Sequence, residues 1–366
     1  RWSRGLGDVY KRQLPVFALS SGEHVTGEIS PAAEVDSFTF DASVGENIRI
    51  GIGDTSDTNF SPMIELFAPG GASLASAVNS TGAFISLQAP ESGTYTINVS
   101  ESGADLTGTY DLNLAVLSRT FSNSGDNGIL ANAGDQGGTL PYGDYDLWSF
   151  EAAVGDSIRV AMGDFGGLNF SPRIELFDPN GQLIGADADA LGAFVEANAA
   201  VAGTYVALVS DSDNDVSGTY QVSLAVAPQA FSPSGDDGVL VNGQDQDGAL
   251  DLGDYDVWSF SATLGDSIRV GMGDMGGLNF SPQIELFGPN GQLVASDSDT
   301  EGAYVEASAT MSGVYFAVLS ELGKDNLGSY RVSLAMAPQA LVPSGDDGVL
   351  VNGQDQDGNL ELGDYD

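Results

Sequence analysis

The octapeptide Gly253-Asp254-Tyr255-Asp256-Val257-Trp258-Ser259-Phe260 constrains this chain most, because it also stands 110 residues earlier as Gly143-Asp144-Tyr145-Asp146-Leu147-Trp148-Ser149-Phe150. Its first half returns 110 residues later as Gly363-Asp364-Tyr365-Asp366. A worn copy, Glu34-Val35-Asp36-Ser37-Phe38-Thr39-Phe40, keeps the same interval on the other side. Aligning the copies needs no insertion or deletion. A fixed period of this length is one domain repeated in tandem, each copy large enough to bury a core. The chain then holds three units, 21–118, 119–227 and 228–337, and the truncated start of a fourth, 338–366. Pro/Ser/Gly punctuation beginning at Pro228 and again at Pro338 marks the boundaries.

Inside a unit the apolar period is two. Ile158, Val160 and Met162 share a face and Arg159 points away; Tyr220, Val222, Leu224 and Val226 share another; Ile174 and Leu176 alternate with Glu175. Asp178-Pro179-Asn180-Gly181, Gly166-Gly167 and Ser217-Gly218 separate the runs as turns. Roughly eight short strands per unit and no amphipathic helix predict an all-β chain: three tandem antiparallel β-sandwich, jelly-roll-like domains plus the truncated fourth.

The charge excludes some partners. With 52 acidic and 11 basic residues the formal net charge is −41. Phosphate recognition needs clustered Lys and Arg, so nucleic acid is not expected, and anionic membrane surfaces are disfavoured. No apolar run reaches the length of a membrane span. The charge suits either a saline or calcium-rich habitat or a solubility device on an exported protein. Ser3 to Gln13 reads like a translated sequencing adapter, and residues 1–13 are set aside from fold reasoning. Leu14 to Ser20 is either a signal-peptide remnant, with Val16-Phe17-Ala18 before the cut, or a strand remnant of a preceding domain. Both fit export.

Catalytic constellations are scarce. There is no Cys, and His24 is the one His, with no His at the equivalent repeat positions, so it is expected to be a surface residue and not a base. No His-Glu-x-x-His zinc motif is present. A carboxylate pair of the glycosidase kind has abundant candidates, but acids repeated in every unit point to structure more than to three tandem active sites. Calcium, which takes six to eight oxygens, is the more physical expectation. The candidate ligands are Glu34 and Asp36, Asp144 and Asp146, Asp254 and Asp256, with Asp245 and Asp247 upstream. Asp126, Asp135, Asp236 and Asp237 precede the same strands, and the fragment repeats the set up to Asp364 and Asp366. Residues i and i+2 of a strand share a face, so Asp254 and Asp256 lie on the side of Trp258 and Phe260, at the rim of the core. Two like charges there need a cation or hydrogen-bond donors. The alternative is ordinary turn residues making Asx-type bonds.

Three other features have structural readings. Asp211-Ser212-Asp213-Asn214-Asp215 reads as a solvated hairpin tip. Asp164, with copies at Asp54 and Asp274, reads as a residue holding a tight bend at Gly166-Gly167. Trp148 and Trp258, aligned with Phe38, read as core and not as sugar-stacking platforms.

In unit two the pieces Asp144 to Phe150, Gly155 to Val160, Asn169 to Gly181, Gly203 to Ser210 and Gly218 to Leu224 follow in an order and spacing that resembles the bacterial pre-peptidase C-terminal domain. The resemblance extends over all three units and the fragment. It implies compact β-sandwiches of the kind appended to secreted proteases and other exported proteins, some of which bind calcium and some of whose relatives bind collagen or polysaccharide. Tandem copies without a catalytic domain depart from the protease-tail arrangement. The expected function is a non-catalytic, extracellular or cell-surface array, a spacer or adhesion-like binder of a protein or polysaccharide, with calcium as its one candidate cofactor and no membrane insertion. The alternative is a set of accessory modules of a larger secreted protease or other hydrolase.

Overall fold

The computed structural model describes residues 17–342 apart from 57, 58, 123, 124, 234 and 341. The adapter-like segment and nearly all of the fourth-unit fragment, with Asp346, Asp347, Asp355, Asp357, Asp364 and Asp366, lie outside the described residues. Unit one comprises β1 (Phe17–Ala18), β2 (Glu23–Ile29), β3 (Val35–Ala42), β4 (Asn47–Asp54), β5 (Pro62–Phe67), β6 (Ser73–Val78), β7 (Gly82–Gln88), β8 (Gly93–Glu101) and β9 (Gly108–Val116). They form two sheets, β1-β3-β8-β5-β6 and β2-β9-β4-β7, packed face to face. All pairings are antiparallel except that of β1 with β3. Units two and three repeat this plan strand for strand from Gly128 to Ala227 and from Gly238 to Ala337, so the described residues hold nine strands per unit, all β.

The alternation read in the sequence is the cause of this arrangement. Along β4, Ile48, Ile50 and Ile52 are fully buried between the sheets, and Ile158, Val160 and Met162 do the same in unit two. Trp148 and Phe150, on β12 (Tyr145–Ala152), and Trp258 and Phe260, on β21 (Asp256–Ala262), are core residues. Each Phe stacks on the Tyr opposite, Tyr205 and Tyr315, with ring centroids 5.8 and 5.9 Å apart. The two-residue strands β10 (Gly128–Ile129) and β19 (Gly238–Val239) pass over the indoles, and a Cβ on Gly238 would lie 2.8 Å from the Trp258 ring. Unit one has Phe38 in place of Trp, and there Phe17 occupies the strand over it, its ring centroid 6.2 Å from that of Phe38. Phe17 and Ala18 thus take the place of Gly128 and Ile129 in the plan of unit one.

The outer faces depart from the one-face-wet expectation. Arg49 and Arg159 point away from their own cores yet are buried. A second set of apolar clusters sits between units. One comprises Ala115, Leu117, Tyr145, Leu147, Phe177, Val206 and Leu208; the next is centred on Ala161, Ala225, Tyr255, Val257, Phe287, Phe316 and Val318. Units one and two therefore each pack their four-stranded sheet on the five-stranded sheet of the unit that follows.

Candidate functional site

The repeated Asp pairs end up with two different tasks. The second Asp of each pair accepts a hydrogen bond from a core tyrosine: Tyr110 to Asp36 at 2.6 Å, Tyr220 to Asp146 at 2.7 Å, Tyr330 to Asp256 at 2.7 Å. In units two and three the same hydroxyl accepts from the Trp148 or Trp258 indole N–H at 2.9 and 3.0 Å. The result is a buried Trp–Tyr–Asp relay at the rim of the cores of units two and three. The tyrosines belong to the Gly-x-Tyr pattern of the last strand, which reads in sequence as simple alternation, so their role was not legible there. Removing the Tyr330 hydroxyl strips a donor from Asp256 and an acceptor from Trp258 at once. Tyr330→Phe is expected to cost about 1–3 kcal/mol in chemical denaturation, and Tyr110→Phe less, since Phe38 brings no N–H.

The first Asp of the pair faces the junction with the preceding unit. Asp144 is buried, accepts from the Tyr145 N–H at 2.8 Å, and lies in the field of His24 of unit one. Asp254 accepts from the Asp251 N–H at 3.3 Å, while its other carboxyl oxygen is buried without a hydrogen-bond partner. The Asp135 carboxylate of unit two lies across the junction from Asp254, and its charge disfavours ionisation of Asp254. Burial pushes Asp144 up to about 7, and burial with the Asp144 charge pushes Asp146 up to about 8. Burial drives Asp254 and Asp256 well above the carboxylate range, with the charges of Asp135 and Asp254 adding to it. The half-buried Asp36 is raised by burial as well. These environments favour the protonated acid.

The remaining candidates hold backbone. Glu34 accepts from the Ser30 N–H, Asp236 from Ala249, Asp237 from Val257, and Asp126 from Thr139. Asp247 is exposed and pairs with Arg331 at 2.8 Å; Asp245 lies half-buried two residues before it on β20 (Asp245–Leu250). Among the described residues no group of three or more His, Cys, Asp or Glu side chains is placed to hold a metal ion. The second Asp of each pair is already turned to its tyrosine.

Three other placements refine the sequence reading. Asp211 is not a solvated tip residue. It is buried and accepts from the Ser171 and Asp215 amides, a task that Glu101 and Glu321 perform in the other units on Gly103 and Asp105, and on Gly323 and Asp325. Asp164 and Asp274 accept from Gly166 and Gly276 and hold the bends as expected. His24 stands 3.4 Å from Asp111, which raises its pKa, and is part of the first junction.

The junctions carry the residues that sequence reasoning missed. Arg49 forms two hydrogen bonds with Glu175 of the next unit, both 3.1 Å, and Arg159 repeats this with Glu285 at 2.8 and 2.7 Å. Each guanidinium also lies over a ring of that next unit, Phe177 at 5.4 Å and Phe287 at 5.1 Å. The Tyr145 hydroxyl donates to the Arg49 carbonyl at 3.1 Å. The turn at Gly181 accepts from Asn47, and the turn at Gly291 from Ser157. Lys324, the one Lys beyond residue 11, is buried over the rings of Phe194 and Tyr255 and donates to Gln283 at 2.9 Å; burial lowers it to about 8. The signal available in sequence was the recurrence of Arg and Glu at a constant separation of 126 residues.

Comparison with known proteins follows this geometry. Residues 34–101 match the family model of the bacterial pre-peptidase C-terminal domain. No curated protein matches. Among solved structures, the pre-peptidase C-terminal domain of a collagenase from Bacillus anthracis is similar at 18% identity, covering 28% of this chain and 97% of that one, with a TM-score of 0.25. A triple jelly roll structure from an archaeal virus is similar at 11% identity over 87% of this chain and 84% of that one, TM-score 0.18. The M60 catalytic domain with its CBM51-1 and CBM51-2 domains from Clostridium perfringens ZmpB is similar at 9% identity over 84% and 55%, TM-score 0.20. Unit one thus matches the bacterial pre-peptidase C-terminal domain over residues 34–101, and units two and three repeat its sandwich strand for strand.

Proposed function

We propose that the chain is a non-catalytic, exported spacer and binding array: stiff because its units interlock, and presenting equivalent loops at regular intervals. The observation that carries this is the double use of one buried junction, Arg49 with Glu175 and Arg159 with Glu285. Flexibly linked modules have no need of buried ion pairs between them; domain motion is the default only where the interface is small and polar. The binding half of the proposal rests on the loops after β13 (Ser157–Gly166) and β22 (Ser267–Gly276), which hold out Leu168 and Leu278, 86% and 85% exposed. Single exposed apolar residues are unremarkable, but the same tip repeated along a very acidic rod is a site for a partner with apolar relief, such as a protein or polysaccharide surface. No metal enters the proposal.

Small-angle scattering on the full chain tests the rod. The expected maximum dimension is that of units stacked sheet face on sheet face, unchanged by ionic strength; a salt-dependent ensemble of compact and extended shapes overturns it. Cleavage of a peptide or glycan by the purified chain would overturn the non-catalytic reading. A second reading is favoured by the family matched at residues 34–101, whose name places such domains beside peptidases: the array serves as accessory modules of a larger secreted hydrolase. Sequencing the flanking gene for a catalytic domain decides between them.

A further inference from the structure

The interlock has a direction. Its trailing face is the outer side of the four-stranded sheet, where β13 supplies Arg159, Ala161 and Gly163, and β18 (Gly218–Ala227) supplies Ser223 and Ala225. Its leading face is the outer side of the next unit's five-stranded sheet, carrying Tyr255, Val257, Glu285, Phe287, Phe316 and Val318. Small residues on one side receive large ones from the other. At Gly163 a Cβ would lie 2.0 Å from the Leu252 carbonyl oxygen, so the contact admits only glycine, and Ser223 accepts from the Tyr255 N–H at 3.1 Å.

We propose that the trailing face of unit three is an acceptor for a further unit of the kind of units two and three, and that unit one is not such a unit, so that the array extends in one direction only. Four of the acceptor residues are retained and the fifth is smaller still: Arg269, Gly273, Ser333 and Ala335 stand where Arg159, Gly163, Ser223 and Ala225 stand, and Gly271 replaces Ala161. Arg269 also keeps the partner from its own unit, Glu306 at 2.8 Å, as Arg159 keeps Glu196 at 3.7 Å. What differs is cover. The Arg49 and Arg159 side chains are 5% and 9% exposed under the following unit, and that of Arg269 is 44% exposed. The occupant must bring a carboxylate for the guanidinium, a Phe beneath it, and a Tyr with two apolar neighbours. A unit of the two-and-three kind has that set, and the chain beyond Ala337 begins to spell one: Leu362-Gly363-Asp364-Tyr365 repeats Leu252-Gly253-Asp254-Tyr255.

Unit one presents a different leading face. Val35, Ser37, Thr96 and Asn98 take the positions of Tyr255, Val257, Phe316 and Val318. Ser37 donates to Asn98 at 2.8 Å, which satisfies the pair within its own sheet, and Val35 is 49% exposed. Glu65 alone of the charged set remains. Such a polar outer face is how end repeats of an array stay soluble. It also keeps unit one of one chain off unit three of another. The inference concerns how units dock and holds whatever the array binds.

The test installs the missing face. A chain carrying Val35→Tyr, Ser37→Val, Thr96→Phe and Asn98→Val, made at full length and ended after Ala340, is followed by sedimentation velocity. The wild type is expected to stay monomeric and the variant to form concentration-dependent head-to-tail oligomers that Arg269→Glu abolishes. A second design replaces residues 21–118 by a copy of 131–228, whose face is native to unit two; it must give the same result if the four substitutions disturb folding. A folded second design that remains monomeric at both lengths overturns the proposal. So do oligomers that persist with Arg269→Glu, because they would come from unspecific apolar contact.

Discussion

Arg159→Ala is expected to destabilise the chain by about 3–5 kcal/mol, while Arg269→Ala leaves its stability essentially unchanged. The two residues are the same amino acid at the same place in the same strand of successive units. Arg159 is closed between Glu285, Glu196 and the Phe287 ring, and its loss strands the Glu285 carboxylate in a site where that side chain is 7% exposed. Arg269 is a surface ion pair screened by water. Urea denaturation of the full chain reads the difference, and scattering should show the second junction opening in Arg159→Ala. Arg159→Met combined with Glu285→Leu should recover most of the loss, since removing both charges leaves nothing uncompensated. Equal costs for the two alanine variants would show that the ion pair does not hold the junction.

Melting temperature is expected to fall as pH rises from about 5 to about 8.5. Asp144 and Asp146 titrate near 7 and 8 in the folded chain against 3.8 ordinarily, and Asp254 and Asp256 shift the same way. A carboxyl whose folded pKa is raised keeps its proton in the native state after the unfolded chain has released it. Its contribution is therefore full below about 4 and is lost as pH climbs through the folded value. His24, raised by Asp111, acts with the same sign, its contribution present below 6.5 and lost as pH rises through its folded value. Lys324 opposes it only above about 8, where the unfolded chain holds a proton that the buried amine has given up. Asp146→Asn should flatten the profile, because the amide oxygen can still accept from Tyr220 and no charge has to be buried. A flat wild-type profile, or an Asn variant less stable than wild type at pH 8, would contradict this. Calcium and chelator should leave the curves superimposed; a calcium-dependent rise at high pH would mean that a cation takes the place of the protons.

The fold was legible because its determinants are local and repeated. Period-two runs such as Ile158-Arg159-Val160, with turns at Asp178-Pro179-Asn180-Gly181, allow only strands, and the 110-residue interval gives the number of sandwiches. The core role of Trp148 and Trp258 could be read from their alignment with Phe38. The acids were less legible. Aspartate at a turn looks the same whether it will accept from a backbone N–H, as Asp237 does, from a tyrosine, as Asp256 does, or face another carboxyl, as Asp254 does. Those partners are 20 to 119 residues away, so nothing near the Asp distinguishes them.

Composition and periodicity by themselves determined an acidic, all-β array of three units. Only the tertiary structure decided what its outward-facing residues are for. Alternation tells which residues leave a core, and it assigns Arg159, Tyr255 and Phe287 to the outside of theirs. Whether that outside is water or another protein surface depends on the placement of the next sandwich. That placement is set by interactions that act across 126 residues of chain and leave no trace in the spacing of neighbours.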